Sequence, residues 1–482
     1  MSMHNFYVDI HCHPNLKAFN SGHPEPVRNM WERIEHPYTD NALTRLFRRK
    51  SNAIAKYSQS NLYTLTKGGV RVAIISLYPI EKGFLQFRRV PHAIFGGETV
   101  NDVLEHIMAV RKDRLVALQQ QENHYFHELV REYEYVKNGQ GKSPDNRYEY
   151  SIADNYAHLQ EILRKPDTIA LILSVEGAHA LGCGNRVTEN MTPDQLIEDL
   201  TRNIASMKRW HHPPFFINLA HHFWNQLCGH APSIPFPFNQ LVNQNKGMNE
   251  GITQYGWHVL HELLGRHNGK RILIDIKHMS VAARLQYYEY IRKHNRLNPR
   301  DKIPVIASHV GLNGYETMKE SIEKRDSNRK SRNSYLHRRS INLSDEEVRI
   351  IHASGGLLGI MMDKGNLAGI KTLQYLSSIH DEEKKKEEWC RLIWTNIFQA
   401  IKAVKQRSAW DIIAIGTDYD GGISHVDLYQ SAENMGDLEK DLITYLDKTK
   451  FHRELWYGYH PDELVAKIMR ENSIGFLKAH FQ

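Results

Sequence analysis

Val8-Asp9-Ile10-His11-Cys12-His13 opens as a short apolar run and closes on two histidines two positions apart. Alternate residues of a strand point to the same face. At the carboxyl end of a strand, both imidazoles would therefore face one pocket, where they can share one metal ion. Two surface histidines would leave the same trace, so the stretch gains meaning only from the rest of the chain. Seven further apolar runs occur, at 70–77, 168–175, 215–220, 271–276, 303–308, 356–361 and 412–416. Helical patterns separate the later ones, at 192–211, 256–266, 281–294, 344–353 and 381–407. Thr192-Pro193-Asp194 and Ser344-Asp345-Glu346-Glu347 are helix-start signals. Strands alternating with helices predict parallel βα units, and eight such units close a barrel. The expected fold is thus α/β, a (β/α)8 TIM-type barrel with helical insertions.

Working residues of such barrels lie at the carboxyl ends of the strands. Here the strand ends carry His11 and His13, Glu176, His221 and His222, His278, His309, and Asp418 and Asp420. Any one of these is more simply read as a polar residue stabilising a strand end. Six strand ends in register, all bearing metal-ligand or acid–base residue types, argue for a site.

The 482 residues suit one large barrel with insertions, and 41% hydrophobic with 24% charged residues excludes a wholly disordered chain. We expect a single domain over 1–482. Its barrel core spans about 6–425, with insertions at about 80–165 and 312–337 and a helical tail over 426–482. No apolar run reaches the ~18 residues of a membrane helix. The first residues lack a signal-peptide pattern, so the expected location is cytoplasmic, with a removed leader left open. The four cysteines form no CxxC pair, which speaks against a zinc ribbon or a disulfide framework. The net charge of +7 owes much to 319–339, a stretch read as a solvated loop rather than a nucleic-acid surface.

The stretches VDIHCHP, LSVEGAHALG, INLAHHFWN, GITQYGWHVLHELL, ILIDIKHMS, PVIASHVG, INLSDEEV, GGLLGIMM and IAIGTDYDGG occur in this order between residues 6 and 422. Together they resemble the membrane (renal-type) dipeptidase family of the amidohydrolase superfamily. The resemblance implies two zinc ions. His11 and His13 would hold the first, His278 and His309 the second, and Glu176 would bridge them. A bridging carboxylate places one oxygen on each cation and offsets their repulsion at ~3.5–4 Å. The resemblance further implies hydrolysis of small dipeptides by a metal-bridging hydroxide. Asp418 would move the proton and His221 would hydrogen-bond the oxyanion. Arg338 or Arg339 would hold the substrate carboxylate.

One departure stands out. The family usually has His-x-Asp on the first strand, whereas this chain has His11-x-His13. A neutral ligand in place of an anion makes the site more electropositive by about one charge. That puts the substrate in question more than the reaction class. The alternative is therefore an amidohydrolase acting on another small amide or a lactone, such as an N-acyl amino acid or a cyclic amide. A metal-binding or interaction protein without catalysis is the third reading. The expected partners are a small-molecule or dipeptide substrate, neither nucleic acid nor membrane, with a homodimer left open. Of the neighbours, Asp9 is expected to support the first strand, Asp420 to stabilise a loop and His179 to orient one. Cys12 is expected to point away from the metal, and Lys277 away from His278.

Overall fold

The computed structural model describes residues 6–35, 57–85, 105, 110–120, 125–234, 238–323 and 333–482. Eight parallel strands form the centre: β1 (Tyr7–Cys12), β2 (Val70–Leu77), β3 (Thr168–Val175), β4 (Phe216–Asn218), β5 (Leu273–Asp275), β6 (Ile306–Val310), β7 (Leu357–Ile360) and β8 (Ile413–Ile415). They pair in sequence order from β1 to β8. The seam between β8 and β1 is drawn together at the strand ends. Cys12 bridges Tyr419, Asp418 N–H donates to His11 O at 2.9 Å, and His13 N–H donates to Tyr419 O at 2.9 Å. The result is the expected TIM-type barrel.

Most strand residues are buried on both faces, because helices cover the outside of the sheet and side chains fill the inside. This is why the strands read as continuous apolar runs rather than alternating ones. β2 and β3 have the expected bounds. β4, β5 and β8 have three residues each, shorter than their apolar runs, because the chain stays buried after leaving the ladder, as at Leu219, Ala220 and Ile276.

Two glycines shape the barrel mouth. A Cβ at Gly359 would sit 2.0 Å from Ser308 O, and one at Gly416 1.9 Å from the same atom. Their bare backbones let β6 approach closely, and Ser308 then turns its hydroxyl toward the rim histidines.

The stretch 139–150, which reads as a polar loop in the sequence, forms part of a hairpin. Gly141–Lys142 pairs with Glu149–Ile152, and the latter runs parallel to β3 from Thr168 to Leu171. β4 pairs with β3 only at Ser174 and Val175, which leaves the lower edge of β3 open to this added strand. The sequence pattern at 99–137 is long, polar and helical; within it Lys112–Gln120 and Tyr125–Asn138 are helices, and 99–104, 106–109 and 121–124 lie outside the described residues. The helical pattern at 40–58 lies outside them through residue 56. Glu132 of the second helix accepts from Asn15 Nδ2 and from Tyr78 N–H, both at 2.7 Å, so this insertion grips the chain just past β1 and β2.

The tail is built of helices. Besides the helical run from Pro461 to His480, Met435–Thr449 is a helix that buries Leu438, Leu442, Tyr445 and Leu446. Charged residues between these positions mask the apolar stripe in the sequence. Asn472 ties the tail to the barrel, donating to Trp410 O at 2.6 Å and Ile413 O at 2.7 Å.

Candidate metal centre and active site

The seven principal side chains expected at the rim meet in one place. His11 Nε2 and His13 Nε2 are 3.2 Å apart, and His278 Nε2 and His309 Nε2 are 3.3 Å apart. Glu176, the residue directly after β3, lies between the two pairs. Its Oε2 is 3.0 Å from His13 Nε2, and its Oε1 is 3.4 Å from His11, 3.3 Å from His278 and 3.5 Å from His309. Asp418 Oδ1 is 3.7 Å from His11 and 3.6 Å from His13, and its Oδ2 is 3.9 Å from His309. All are buried, and His11 and His309 are 0% exposed.

Hydrogen bonding alone does not account for this cluster. One carboxylate oxygen faces three imidazole nitrogens, and each close Nε2 pair can share only one proton. Lone pairs converging in a dry site need a cation. Imidazole nitrogen and carboxylate oxygen are the ligand types that zinc takes at ~2.0–2.2 Å. His11, His13 and Asp418, and His11, Glu176 and His309, each present ligand atoms within 4.8 Å of one another. The residues fit a bound metal.

The surrounding contacts set the ring orientations. Ser308 Oγ lies 2.8 Å from His309 Nδ1 and 3.3 Å from His11 Nδ1, and Ser76 Oγ lies 3.4 Å from His11 Nδ1. With Nδ1 engaged there, Nε2 is left to face the centre. Asp9 accepts from His11 N–H at 3.1 Å and Thr417 N–H at 3.0 Å, so it stitches β1 to the end of β8. Asp275 does the same for β5 and β6, accepting from Lys277 N–H and Ser308 N–H. His278 and Asp418 have φ of +68° and +61°. Left-handed backbone at non-glycine residues is costly and gathers at functional positions.

Burial holds His278 down to about 3, and holds His309 well below the ordinary histidine range. Both imidazoles are thus neutral, the form that binds a metal. Burial opposes the charge of Glu176, but His221, His11 and His13 hold its carboxyl well below the ordinary range. For His13, burial again opposes charge, yet Glu176 and Asp418 raise it to about 10.

His221 approaches from the end of β4, with Nε2 3.6 Å from Glu176 Oε1. Its Nδ1 is 2.6 Å from Glu81 Oε2, in a buried pair. Glu81 also accepts from Phe223 N–H at 2.9 Å, so it fixes both the ring and the loop that carries it. Burial opposes the Glu81 charge, but the neighbouring His221, His179 and His222 hold its carboxyl below the ordinary range. Glu81 has no motif in the sequence. A carboxylate three positions past Tyr78, near the end of β2, is its only signal.

The other neighbours are also placed. Asp420 accepts from Lys17 Nζ at 2.5 Å and from Gln59 and Ser60, which makes it a loop anchor. His179 Nε2 lies 2.7 Å from Pro79 O. Cys12 is buried, and burial pushes its thiol well up. His222 Nδ1 is 2.6 Å from Ser233 Oγ, and this histidine forms a third candidate ligand group with His221 and His278. Ala231 N–H donates to His278 O at 2.8 Å, and Arg339 Nη2 donates to the carbonyl of the next residue, Pro232, at 2.9 Å. The Arg338 guanidinium lies 5.3 Å above the Tyr315 ring. A cavity of about 490 Å³ opens beside Glu81 and His179, bounded also by Arg186 and Trp224.

Two solved structures that the chain resembles in fold are metallopeptidases. The chain aligns with a dipeptidase described as a metallopeptidase of family M19 at 13% identity, covering 99% of both chains with a TM-score of 0.51. It aligns equally, at 13% identity, 99% of both chains and a TM-score of 0.51, with a metallopeptidase from Rhodobacter sphaeroides solved with a phosphinate mimic of the dipeptide L-Ala-D-Ala. No protein-family model and no curated protein matches the chain. The chain shares the fold of these two metallopeptidases.

Proposed function

We propose that this protein is a binuclear zinc hydrolase of the membrane dipeptidase type that cleaves the amide bond of small dipeptides. The observation that carries the reading is the convergence of four imidazoles on the Glu176 carboxylate at 3.0–3.5 Å. His11 and His13 would hold one zinc, His278 and His309 the other, and Glu176 would bridge them. Zinc, when bound, supplies the Lewis acidity that makes water an effective nucleophile near neutral pH.

The chain's own groups do the rest. Asp418, beside both histidine pairs, accepts the proton of the attacking water and returns it to the leaving amine. His221 donates from Nε2 to the oxyanion that forms on the carbonyl oxygen. Its Nδ1–H is committed to Glu81, which fixes the ring's direction. Arg339 or Arg338 holds the outer, charged end of the substrate through the fork geometry of guanidinium. The phosphinate-bound relative, whose ligand copies a dipeptide, supports a substrate of that size. His13, where family members carry an acid, favours the second reading, a different small amide or a lactone on the same centre.

The test is zinc content by mass spectrometry, followed by hydrolysis of a dipeptide library by the zinc-loaded protein. We expect two zinc ions per chain and turnover of at least one dipeptide class. Glu176→Gln should lower the zinc content. Zinc without dipeptide turnover would select the second reading, and a chain that binds no metal would overturn both.

A further inference from the structure

Of the six histidines gathered at the barrel mouth, five are buried. His11, His13, His221, His278 and His309 are 0–5% exposed, whereas His222 is half-buried. A metal centre closed in this way needs an entry path. His222 forms a ligand group with His221 and His278, whose offered nitrogens lie within 4.8 Å of one another. The ring centroids are 3.9 Å apart for His221 and His222, 4.4 Å for His221 and His278, and 5.0 Å for His222 and His278. The reading above gives His222 no task.

Two of the three rings have the outer contacts of metal ligands. A metal-binding imidazole commits one nitrogen to a carboxylate or another acceptor, which leaves the second bare for the ion. His221 Nδ1 faces the Glu81 carboxylate at 2.6 Å, and His222 Nδ1 faces Ser233 Oγ at 2.6 Å. Ser233 Oγ is itself held by Gln244 Nε2 at 2.8 Å. His278 differs. Its Nε2 is 3.3 Å from Glu176 Oε1 and 3.3 Å from His309 Nε2, and its Nδ1 has no hydrogen-bond partner among the described residues. His278 is therefore common to this trio and to the pair with His309, and no outer contact fixes its ring to either.

We propose that His221, His222 and His278 form an outer metal seat, through which the ion held by His278 and His309 enters and leaves the buried centre. This rests on the metal centre of the function proposed above. His222, the ligand that solvent reaches, takes the hydrated ion first. His278 stays bound while His221 and His222 are exchanged for His309 and Glu176, so the ion is never left bare in a dry site. Zinc has no geometry imposed by its d electrons and takes four or five ligands, so one can be gained before another is lost. His221 Nε2 lies 3.6 Å from Glu176 Oε1, so the two ligand sets adjoin. Once the ion has passed, His221 Nε2 is open to the substrate again.

The test follows zinc out of the protein and back in. A chromogenic chelator in excess strips the zinc-loaded protein, the stripped protein is refilled with zinc, and absorbance gives both rates. Wild type is compared with His222→Asn, which removes the imidazole, and with His222→Asp, which has the size of asparagine and restores a zinc ligand. In His222→Asn we expect stripping and refilling to slow together by about 10-fold or more. Final zinc content and affinity should be unchanged, because a seat on the path alters rates and not end states. His222→Asp should recover most of both rates.

Wild-type rates in His222→Asn would overturn the proposal, and a lowered thermal midpoint beside them would make the His222–Ser233 contact structural. A loss of zinc affinity with an unchanged refilling rate would make His222 a resident ligand and also overturn it, as would His222→Asp as slow as His222→Asn. If His222→Asn does not fold, Ser233→Ala keeps the imidazole but unties it. Both rates should then fall less far, and wild-type rates there would count against the seat. A wild type that binds no zinc would overturn the metal centre and the seat together. A wild type that binds two ions, with rates indifferent to the loss of His222, would strike the seat alone.

Discussion

The two sides of the barrel mouth are held in different ways. On one side, at the ends of β1, β6 and β8, backbone-to-backbone and carboxylate-to-backbone contacts lock His11, His13, His309 and Asp418 in place. Asp9 joins β1 to Thr417, Asp418 N–H bonds His11 O, and Ser308 serves two imidazoles at once. On the other side, His221 and His222 ride on the long loop after β4. Side chains from elsewhere hold them: Glu81 from beyond β2, and Ser233 and Gln244 from the loop itself. On the proposed reading, three of the candidate metal ligands, His11, His13 and His309, would thus sit on the rigid frame with the proton carrier Asp418, and the oxyanion donor His221 on a part that can be rebuilt without disturbing it.

The strongest challenge to that division is Asp418→Asn. Asparagine tolerates the left-handed backbone at this position and keeps the side chain's shape, so the frame should stand. It cannot carry a proton. Turnover should fall by roughly 10²–10⁴ while zinc content stays at the wild-type level. Turnover near the parent value would remove Asp418 from the proton path. Loss of zinc would make it a ligand rather than a carrier.

The frame side is largely legible in the sequence, whereas on the loop side the histidines are legible and the groups that hold them are not. Apolar runs that end in His, Glu or Asp mark strand ends by local pattern, so Glu176 can be placed from its position after 168–175. Glu81 is harder to see. It lies 140 residues from His221, and nothing in Tyr78-Pro79-Ile80-Glu81 signals a partner. The rule that finds Glu176, a carboxylate just past an apolar run, reaches Glu81 only when it is extended a few residues beyond β2. The Met435–Thr449 helix is obscured by the charges between its buried positions.

Glu81→Ala sharpens the comparison from the loop side. It strips the His221 ring of its Nδ1 partner and Phe223 N–H of its acceptor. Each buried donor left without a partner costs about 1–3 kcal/mol. The metal ligands are not touched. We expect kcat to fall about 10–100-fold with zinc content unchanged, and Glu81→Gln, which keeps one acceptor oxygen, to recover part of it. If kcat held while zinc was lost, the loop would be bracing the metal centre instead.

The mildest expected effect comes from Asp9→Asn, on the frame itself. One oxygen of Asp9 accepts from His11 N–H and Thr417 N–H, and the other accepts from the Thr417 hydroxyl at 2.5 Å. Asparagine keeps an oxygen for the two backbone donors. Its amide would then face the hydroxyl, which can reverse, accept from that amide and turn its own proton toward His11 O, 3.5 Å away. The stitch between β1 and β8 survives, and denaturant unfolding should show a loss below about 1 kcal/mol. Asp9→Ala has no such escape. It leaves both N–H groups buried without an acceptor and should cost about 1–3 kcal/mol for each. If the two substitutions were equally damaging, the charge of Asp9 and not its hydrogen-bond geometry would be what holds the strand end, and the rigid side of the mouth would rest on electrostatics rather than on stitching.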